Sequence, residues 1–189
     1  MDSMFLNLTE SEMINLWKTV MHLEQVRRDC VIERDDGIDI DELLRIHLRQ
    51  WYAHLLLTAP LCQVPIDDVK SEVTLSTDGQ GVVTATLPER AVRPVEFKLQ
   101  EWTRSVTRFL EPSSPEARLQ SSPYTRGGIC QPAAVAISPG RLLLMSAPSL
   151  APQLELARCV ARPADGSYRL SQAALSTIPD WERAHPSLL

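Results

Sequence analysis

The spacing of apolar residues along this chain changes from helical to strand-like at about residue 65, and this change limits the folds open to it. Before that point apolar side chains recur every three or four residues, as on the buried face of a helix. Beyond it they alternate with polar neighbours, as in a strand with one buried face. We therefore predict an α+β fold with an N-terminal antiparallel helix pair, a following antiparallel β sheet or sandwich, a short C-terminal helix and an extended tail.

Two capping motifs mark the starts of the predicted helices. Thr9 and Glu12 have the spacing of a capping box, in which each side chain accepts a hydrogen bond from the other residue's backbone amide. Asp39 and Glu42 repeat this pattern, and Pro60 ends the second helix. The helical part therefore spans residues 9–60. Its predicted stripes are Leu16, Val20, Leu23, Val26 and Cys30 in the first helix, and Leu44, Leu48, Trp51 and Leu55, widened by Leu43, His47 and Leu56, in the second.

Turn residues divide the rest of the chain into short segments, with a β part over residues 72–161. Segment 100–110 suits either a strand or a helix, since Leu99, Trp102, Val106 and Phe109 also have helical spacing. The other predicted elements are a hairpin around Asp78-Gly79-Gln80-Gly81, a strand at Val95–Leu99, an irregular excursion over 112–128 with a helical turn at 116–119, a hairpin around 138–141, a strand at 154–160 and a short helix at 171–177.

The C-terminal segment, residues 179–189, is predicted to be an arm outside the single domain of residues 1–178. Pro179 and Pro186 oppose regular secondary structure, while the apolar groups between and after them gain by burial. We expect the arm to dock on a neighbouring subunit or partner, with Trp181 as an aromatic anchor. The alternative, that Trp181 packs onto its own domain, stays open. The predicted partner-binding residues are Trp181, Leu188 and Leu189.

Composition and charge indicate a globular protein without a metal cluster or a membrane span. The hydrophobic fraction is 44% and the charged fraction 23%, and the four cysteines are scattered without a CxxC pair, so we expect buried free thiols in a reducing compartment. The start of the chain lacks a basic region followed by an apolar run, so we expect no secretory signal. The net charge is −7 through Glu72 (14 acids, 7 bases) and +2 beyond it (10 acids, 12 bases), which does not favour sequence-specific nucleic-acid binding.

Two stretches of the sequence contain carboxylates that could bind metal ions. The acidic stretch 35–42 does not fit a calcium loop, because placing Gly37 at the invariant glycine puts Ile32 and Arg34 at ligand positions. Glu96-Phe97-Lys98, with Asp78 or Glu89 upstream, has the carboxylate and E-x-K pattern of metal-dependent nucleases. Alternating charges are also typical of the exposed face of a half-buried strand.

Histidine and glycine motifs of the common enzyme classes are missing from the sequence, and its tryptophans fit a core. The four histidines form no HExxH pattern, and we expect them at core edges or on the surface. Trp17, Trp51 and Trp102 are predicted core residues. We therefore predict no catalytic, cofactor-binding or metal-binding residues and no enzyme activity. An E-x-K nuclease and a bacterial binding module of unknown ligand remain as alternatives.

The order of the predicted segments along the chain is similar to that of one known protein family. A helix pair ending in Trp51-Tyr52-Ala53-His54 precedes the Asp78-Gly79-Gln80-Gly81 hairpin, then Val83-Thr84-Ala85-Thr86-Leu87-Pro88, Val95-Glu96-Phe97-Lys98-Leu99 with Trp102, and a proline-rich excursion containing Tyr124. This order resembles the head-to-tail connector proteins of tailed bacteriophages, the adaptor or ring proteins beneath the portal. The sequence departs from that pattern at its end, where the last predicted helix is short and the tail is interrupted by proline.

The resemblance implies a structural virion protein without a cofactor. In that family a helical bundle carries an inserted set of β strands, and copies form a ring around the DNA channel. The expected partners are further copies of the chain, the portal protein, and tail or neighbouring ring proteins. DNA would pass without specific binding, which suits an acidic helical half. The expected location is the virion, assembled in the host cytoplasm.

Overall fold

The computed structural model describes residues 5–21 and 40–185. It has the predicted α+β class, and the chain divides into two compact units. The helical unit comprises Met1–Pro65 with Arg162–Leu189, and the β unit comprises Ile66–Ala161. The elements in chain order are β1 (Phe5–Leu8), α1 (Glu10–Val20), α2 (Ile40–Thr58), β2 (Ile66–Asp68), β3 (Thr74–Thr77), β4 (Val82–Thr86), β5 (Ala91–Leu99), β6 (Phe109–Leu110), α3 (Pro115–Ser121), β7 (Ala134–Ser138), β8 (Arg141–Met145), β9 (Leu154–Ala161), β10 (Tyr168–Ser171), α4 (Gln172–Leu175) and α5 (Ile178–Ala184).

The capping box at the start of α1 is confirmed. Thr9 Oγ1 accepts from the Glu12 amide at 3.3 Å, and the Thr9 amide donates to Glu12 Oε2 at 2.8 Å. The hydrogen bonds from Thr9 lower the pKa of the Glu12 carboxyl. The buried face differs from the predicted stripe, because Leu16 and Val20 are only half-buried. The side chains that α1 buries are Met13, Ile14 and Trp17.

Helix α2 follows its predicted pattern closely. It ends at Thr58, two residues before Pro60, and the predicted stripe is buried except for Leu43, which is half-buried. His47 lies on that stripe and is only 2% exposed, so it is a core residue and not an edge residue. Several predicted features lie outside the described residues: Leu23, Val26, Cys30 and Asp39, with most of the acidic stretch 35–42.

Two strands that the sequence patterns did not predict join the helical unit's two chain segments. β1 pairs antiparallel with β10, from Phe5 opposite Ser171 to Leu8 opposite Tyr168. The Tyr52 hydroxyl links α2 to β10 by two hydrogen bonds. It donates to the Arg169 carbonyl at 3.1 Å and accepts from the Arg169 amide at 3.2 Å. Burial raises the pKa of Tyr52 to about 12. The helical unit is therefore closed by pairing between segments far apart in sequence.

The β unit encloses one apolar core between two sheets. One sheet has the strand order β3-β4-β8-β7-β6, and the other has β2-β9-β5. Among the strand pairs of residues 5–21 and 40–185, only β6–β7 is parallel. Val106 bridges to Phe97 on β5, and β6 follows directly, so one stretch of chain connects the two sheets. Fully buried residues from both sheets include Val83, Ala85, Phe97, Leu99, Ala134, Leu144, Ala157 and Cys159.

Most predicted segments of the β unit are confirmed, with two corrections. The hairpins β3–β4 and β7–β8 and the strands β5 and β9 lie where expected. Segment 100–110 is neither a helix nor a continuous strand, since turns and bends precede the Val106 bridge and the two residues of β6. The helical turn expected at 116–119 is the longer α3. The predicted short helix near 171–177, in the helical unit, is α4, capped by Ser171.

The C-terminal segment differs from its predicted form. Residues Ile178–Ala184 form α5, so the prediction of an irregular segment is wrong there. Pro179 lies in the first turn of α5, where its missing N–H leaves no hydrogen bond unmade and its fixed φ favours the helix. Leu188 and Leu189 lie outside the described residues.

The tryptophan and cysteine predictions have different outcomes. Trp17, Trp51 and Trp102 are 1–2% exposed and confirm the core prediction. Cys159 is a buried free thiol as expected, whereas Cys62 and Cys130 are exposed. No helix in the described part of the chain has the length and apolar character needed to cross a membrane.

Candidate interaction site

A tight turn between β3 and β4 forms the base of the candidate site. Asp78 Oδ1 accepts from the amides of Gln80 at 2.8 Å and Val82 at 3.0 Å. These backbone hydrogen bonds lower the pKa of Asp78. Gly79 and Gly81 have φ of 74° and 83°, a conformation that glycine adopts at little cost. Local hydrogen bonds therefore fix this turn.

Arg126, in the irregular segment that follows α3, bonds to this turn. Arg126 donates through Nη1 to the Gln80 carbonyl at 2.9 Å and through Nε to the Gln120 carbonyl at 3.0 Å. Thr125 Oγ1 donates to the Leu119 carbonyl. Arg126 and Thr125 thus donate hydrogen bonds to carbonyls in the last turn of α3, where carbonyl groups lack donors within the helix. The excursion is ordered by polar contacts although it contains no strand.

The segment that follows β8, residues 146–150, also contacts this turn. The Ala147 amide donates to the Gly81 carbonyl at 3.0 Å, and Trp102 Nε1 donates to the Ser146 carbonyl at 3.0 Å. Ser146 has φ of 67°, and its neighbours hold it in this uncommon conformation. We call the surface formed by residues 78–81, 119–131 and 146–150 the loop end.

The loop end exposes large apolar side chains. Tyr124 is 98% exposed, Leu150 77%, Leu119 56% and Ile129 40%. Tyrosine is enriched at the energetic centres of protein interfaces, and an ordered loop loses little entropy when it binds. A fixed surface with these side chains is typical of a contact site for another protein.

The predicted anchor Trp181 contacts residues of its own unit. Its ring stacks on His185 with 3.8 Å between ring centroids and lies 5.1 Å from the ring centroid of His54. The next residue, Glu182, is buried and accepts from Trp17 Nε1 at 2.9 Å. Trp181 Nε1 is itself buried and has no hydrogen-bond partner among the described residues. A role for Trp181 in binding a partner stays a prediction.

A buried histidine lies beside the Trp17–Glu182 hydrogen bond. His47 Nε2 is 3.8 Å from Glu182 Oε1, and neither ring nitrogen has a hydrogen-bond partner in the described part of the chain. Burial lowers the pKa of His47, and the Glu182 carboxylate opposes this by raising it. His47 is therefore held largely neutral at pH 7, so the pair lacks the full attraction of an ion pair.

Glu96, Lys98 and Asp78 of the nuclease hypothesis have structural partners. Glu96 accepts from Ser105 Oγ at 2.7 Å and pairs with Arg158 at 3.3 Å. Lys98 pairs with Glu155 at 2.7 Å. Asp78 caps the β3–β4 turn, and Glu89 is exposed beyond the other end of β4. No three His, Cys, Asp or Glu side chains in the described ranges are grouped as a metal ion would need.

The sequence patterns predicted the irregular excursion that contains Tyr124, but they did not indicate Tyr124, Leu119, Ile129 or Leu150 as contact residues. Exposed apolar residues in irregular segments have no periodicity that would distinguish them from core residues. No family model matches this chain, and neither the curated proteins nor the solved structures contain a match. The geometry of the loop end and the order of the elements therefore carry the functional argument.

Proposed function

We propose that this chain is a structural virion protein, a head-to-tail connector subunit of a tailed bacteriophage that forms a ring around the DNA channel between portal and tail. The observation that carries the proposal is the arrangement of the two units along the chain. The β unit is one continuous segment, and the helical unit is made from the segments before and after it. A helical part with inserted strands is the arrangement that the sequence resemblance implies.

Contacts within the helical unit support a small bundle. Lys18 near the end of α1 pairs with Asp41 at 2.6 Å, and Glu10 at its start pairs with Arg49 at 2.9 Å. These contacts support an antiparallel arrangement of α1 and α2. Through Glu182, α5 bonds to α1. Many such connectors end with a longer helix that returns to the bundle, whereas α5 has seven residues.

The loop end supports an assembly role over catalysis. Its exposed apolar groups lie on segments fixed by Arg126 and Asp78, as a preformed contact surface requires. The nuclease alternative needs a carboxylate beside Glu96 to share a metal ion, and the described contacts of Glu96 are with a serine and an arginine.

Electron microscopy combined with light scattering tests the proposal directly. The purified chain, alone and mixed with a portal ring, should form ring-shaped oligomers or add a ring to the portal. A chain that stays monomeric in both settings would refute the connector assignment. Mg²⁺-dependent DNA cleavage that is lost in Glu96→Ala would instead establish the nuclease alternative.

A further inference from the structure

Strand β3 lies at one edge of the five-stranded sheet, beside β4. The Asp78 amide, just after β3, donates to the Val82 carbonyl at 3.1 Å. Hydrogen-bonded positions alternate along an antiparallel pair, so Ser76 also bonds to β4. The amides and carbonyls of Leu75 and Thr77 therefore point to the open edge of the sheet. No backbone hydrogen bond within residues 5–21 and 40–185 uses these groups.

The other outer strands of the two sheets in the β unit are protected against further pairing. β6 has only two residues, and β2 carries Asp67 and Asp68. β5 contains Pro94, its register with β9 shifts, and Val106 bonds to Phe97 on its outer side. Short length, charge, proline, irregular register and covering by another segment all prevent edge pairing. β3 has four uncharged residues without proline, and its register with β4 is regular.

We propose that β3 pairs antiparallel with β3 of a second copy, which joins the two five-stranded sheets into one. The open amides and carbonyls belong to residues two positions apart, so this edge is complementary to itself. When Ser76 lies opposite Ser76 of the second copy, Leu75 of each copy lies opposite Thr77 of the other. Each of these pairs then exchanges both of its N–H···O bonds.

The side chains of this edge favour a second copy as the partner. β3 contains no charged residue, so two copies bring no like charges together along the strand. Asp78 would lie opposite Thr74, which keeps the two carboxylates at opposite ends of the pair, and each is already bonded within its own turn. Leu75 is half-buried against the β core, and pairing covers more of it. Pairing also closes both open edges, which protects the free chain against association with other strands.

This contact goes beyond the proposed ring and does not depend on it. The same surface meets itself across a two-fold axis, so the association ends at two copies, whereas neighbours in a ring use two different surfaces. A four-residue edge buries less than the roughly 1,200–2,000 Å² of a stable interface, so we expect a dissociation constant on the order of 0.1 mM. The dimer is therefore a form of the concentrated free chain.

Amide hydrogen exchange followed by NMR, without portal, tests the pairing itself. The exchange rates of the Leu75 and Thr77 amides should fall about threefold between roughly 0.05 mM and roughly 1 mM protein, because only the monomer exposes them. The Ser76 amide is the internal control, since it bonds to β4 in both states and should be protected at both concentrations. Leu75 and Thr77 amides that exchange equally fast at both concentrations would overturn the proposal.

A charge exchange at the two-fold axis tests the register. Ser76→Lys and Ser76→Glu should each raise the dissociation constant by about fivefold in sedimentation equilibrium, because like charges directly opposite each other destabilise a strand pair. An equimolar mixture of the two variants should form a mixed dimer at least as tight as the original, which also shows that both variants fold. Thr86→Glu is the matched control, since Thr86 is exposed on the same face of β4, away from the open edge, and should leave dimerisation unchanged.

The outcomes separate this contact from the proposed function. Dimers unaffected by Ser76→Lys and Ser76→Glu would overturn the β3 pairing, and so would variants that stay weak when mixed. Both variants should still form rings on the portal. Loss of the ring in both would assign β3 to a ring contact and would overturn the two-fold pairing. A chain that pairs through β3 but never forms a ring would refute the connector assignment alone.

Discussion

The buried carboxylate of Glu182 makes a specific contribution to the stability of the helical unit. Glu182 is 8% exposed and accepts a hydrogen bond from Nε1 of Trp17, which is 1% exposed. Glu182→Ala removes that acceptor and leaves the buried indole N–H without the partner it has in the native protein. The hydrogen bond joins α5 to α1, so its loss weakens the attachment of the C-terminal helix.

The size of this effect follows from the contact itself. Hydrogen bonds to charged groups contribute about 1.5–3 kcal/mol, and the desolvation of a buried carboxylate offsets part of this. We expect Glu182→Ala to lower the free energy of unfolding by about 2 kcal/mol. For the helical unit of 93 residues (65 in Met1–Pro65 plus 28 in Arg162–Leu189), this corresponds to about 10 °C in melting temperature.

Tryptophan fluorescence during thermal unfolding measures the change, because Trp17, Trp51 and Trp181 belong to the helical unit. Arg183→Gln on the same helix is the control, since an exposed ion pair contributes little and should cost less than about 0.5 kcal/mol. A double-mutant cycle with Trp17→Phe should give a coupling free energy of about 1.5 kcal/mol or more. A Glu182→Ala protein as stable as the original would refute the reasoning.

Three further predictions follow from the described contacts. The pKa of His47 is lowered below the usual 6.5, so the unfolded chain binds protons more readily. The melting temperature of the helical unit should therefore fall as pH drops below about 6.5, and His47→Phe should flatten that profile. Burial raises the pKa of Cys159 to about 12, so alkylation of the native protein, mapped by mass spectrometry, should modify Cys62 and Cys130 and spare Cys159. Asp78→Ala removes the acceptor for two turn amides and should lower the free energy of unfolding of the β unit by about 1 kcal/mol. Chemical denaturation followed by the fluorescence of Trp102 measures this change. An unchanged denaturation midpoint would show that the glycines alone fix the turn.

Local patterns predicted the elements whose formation depends on local contacts. The capping box at Thr9, the turn at Asp78 and the stripe of α2 are determined by residues within a few positions of each other. β1, β2 and β10 were missed because each forms only when paired with a distant strand, and short strands have weak alternation of their own.

The errors at the C-terminal segment have a separate physical cause. Proline within a helix breaks it, but its effect depends on position, and in the first turn of α5 Pro179 favours the helix. The loop end was predicted only as an excursion containing Tyr124. Its exposed apolar residues become distinguishable only when their accessibility in the fold is known.

The pairing of β1 with β10 has a consequence for synthesis on the ribosome. Leu8 lies opposite Tyr168, so about 160 residues must be added before β1 can find its partner. At about 5–20 residues per second this takes roughly 8–32 s. The β unit is complete at Ala161, before the partner strand of β1 is synthesised. During that interval the side chains of Met13 and Trp17 lack their final burial and are available to chaperones. A released chain truncated between Ala161 and Tyr168 should therefore have a folded β unit and an aggregation-prone N-terminal part.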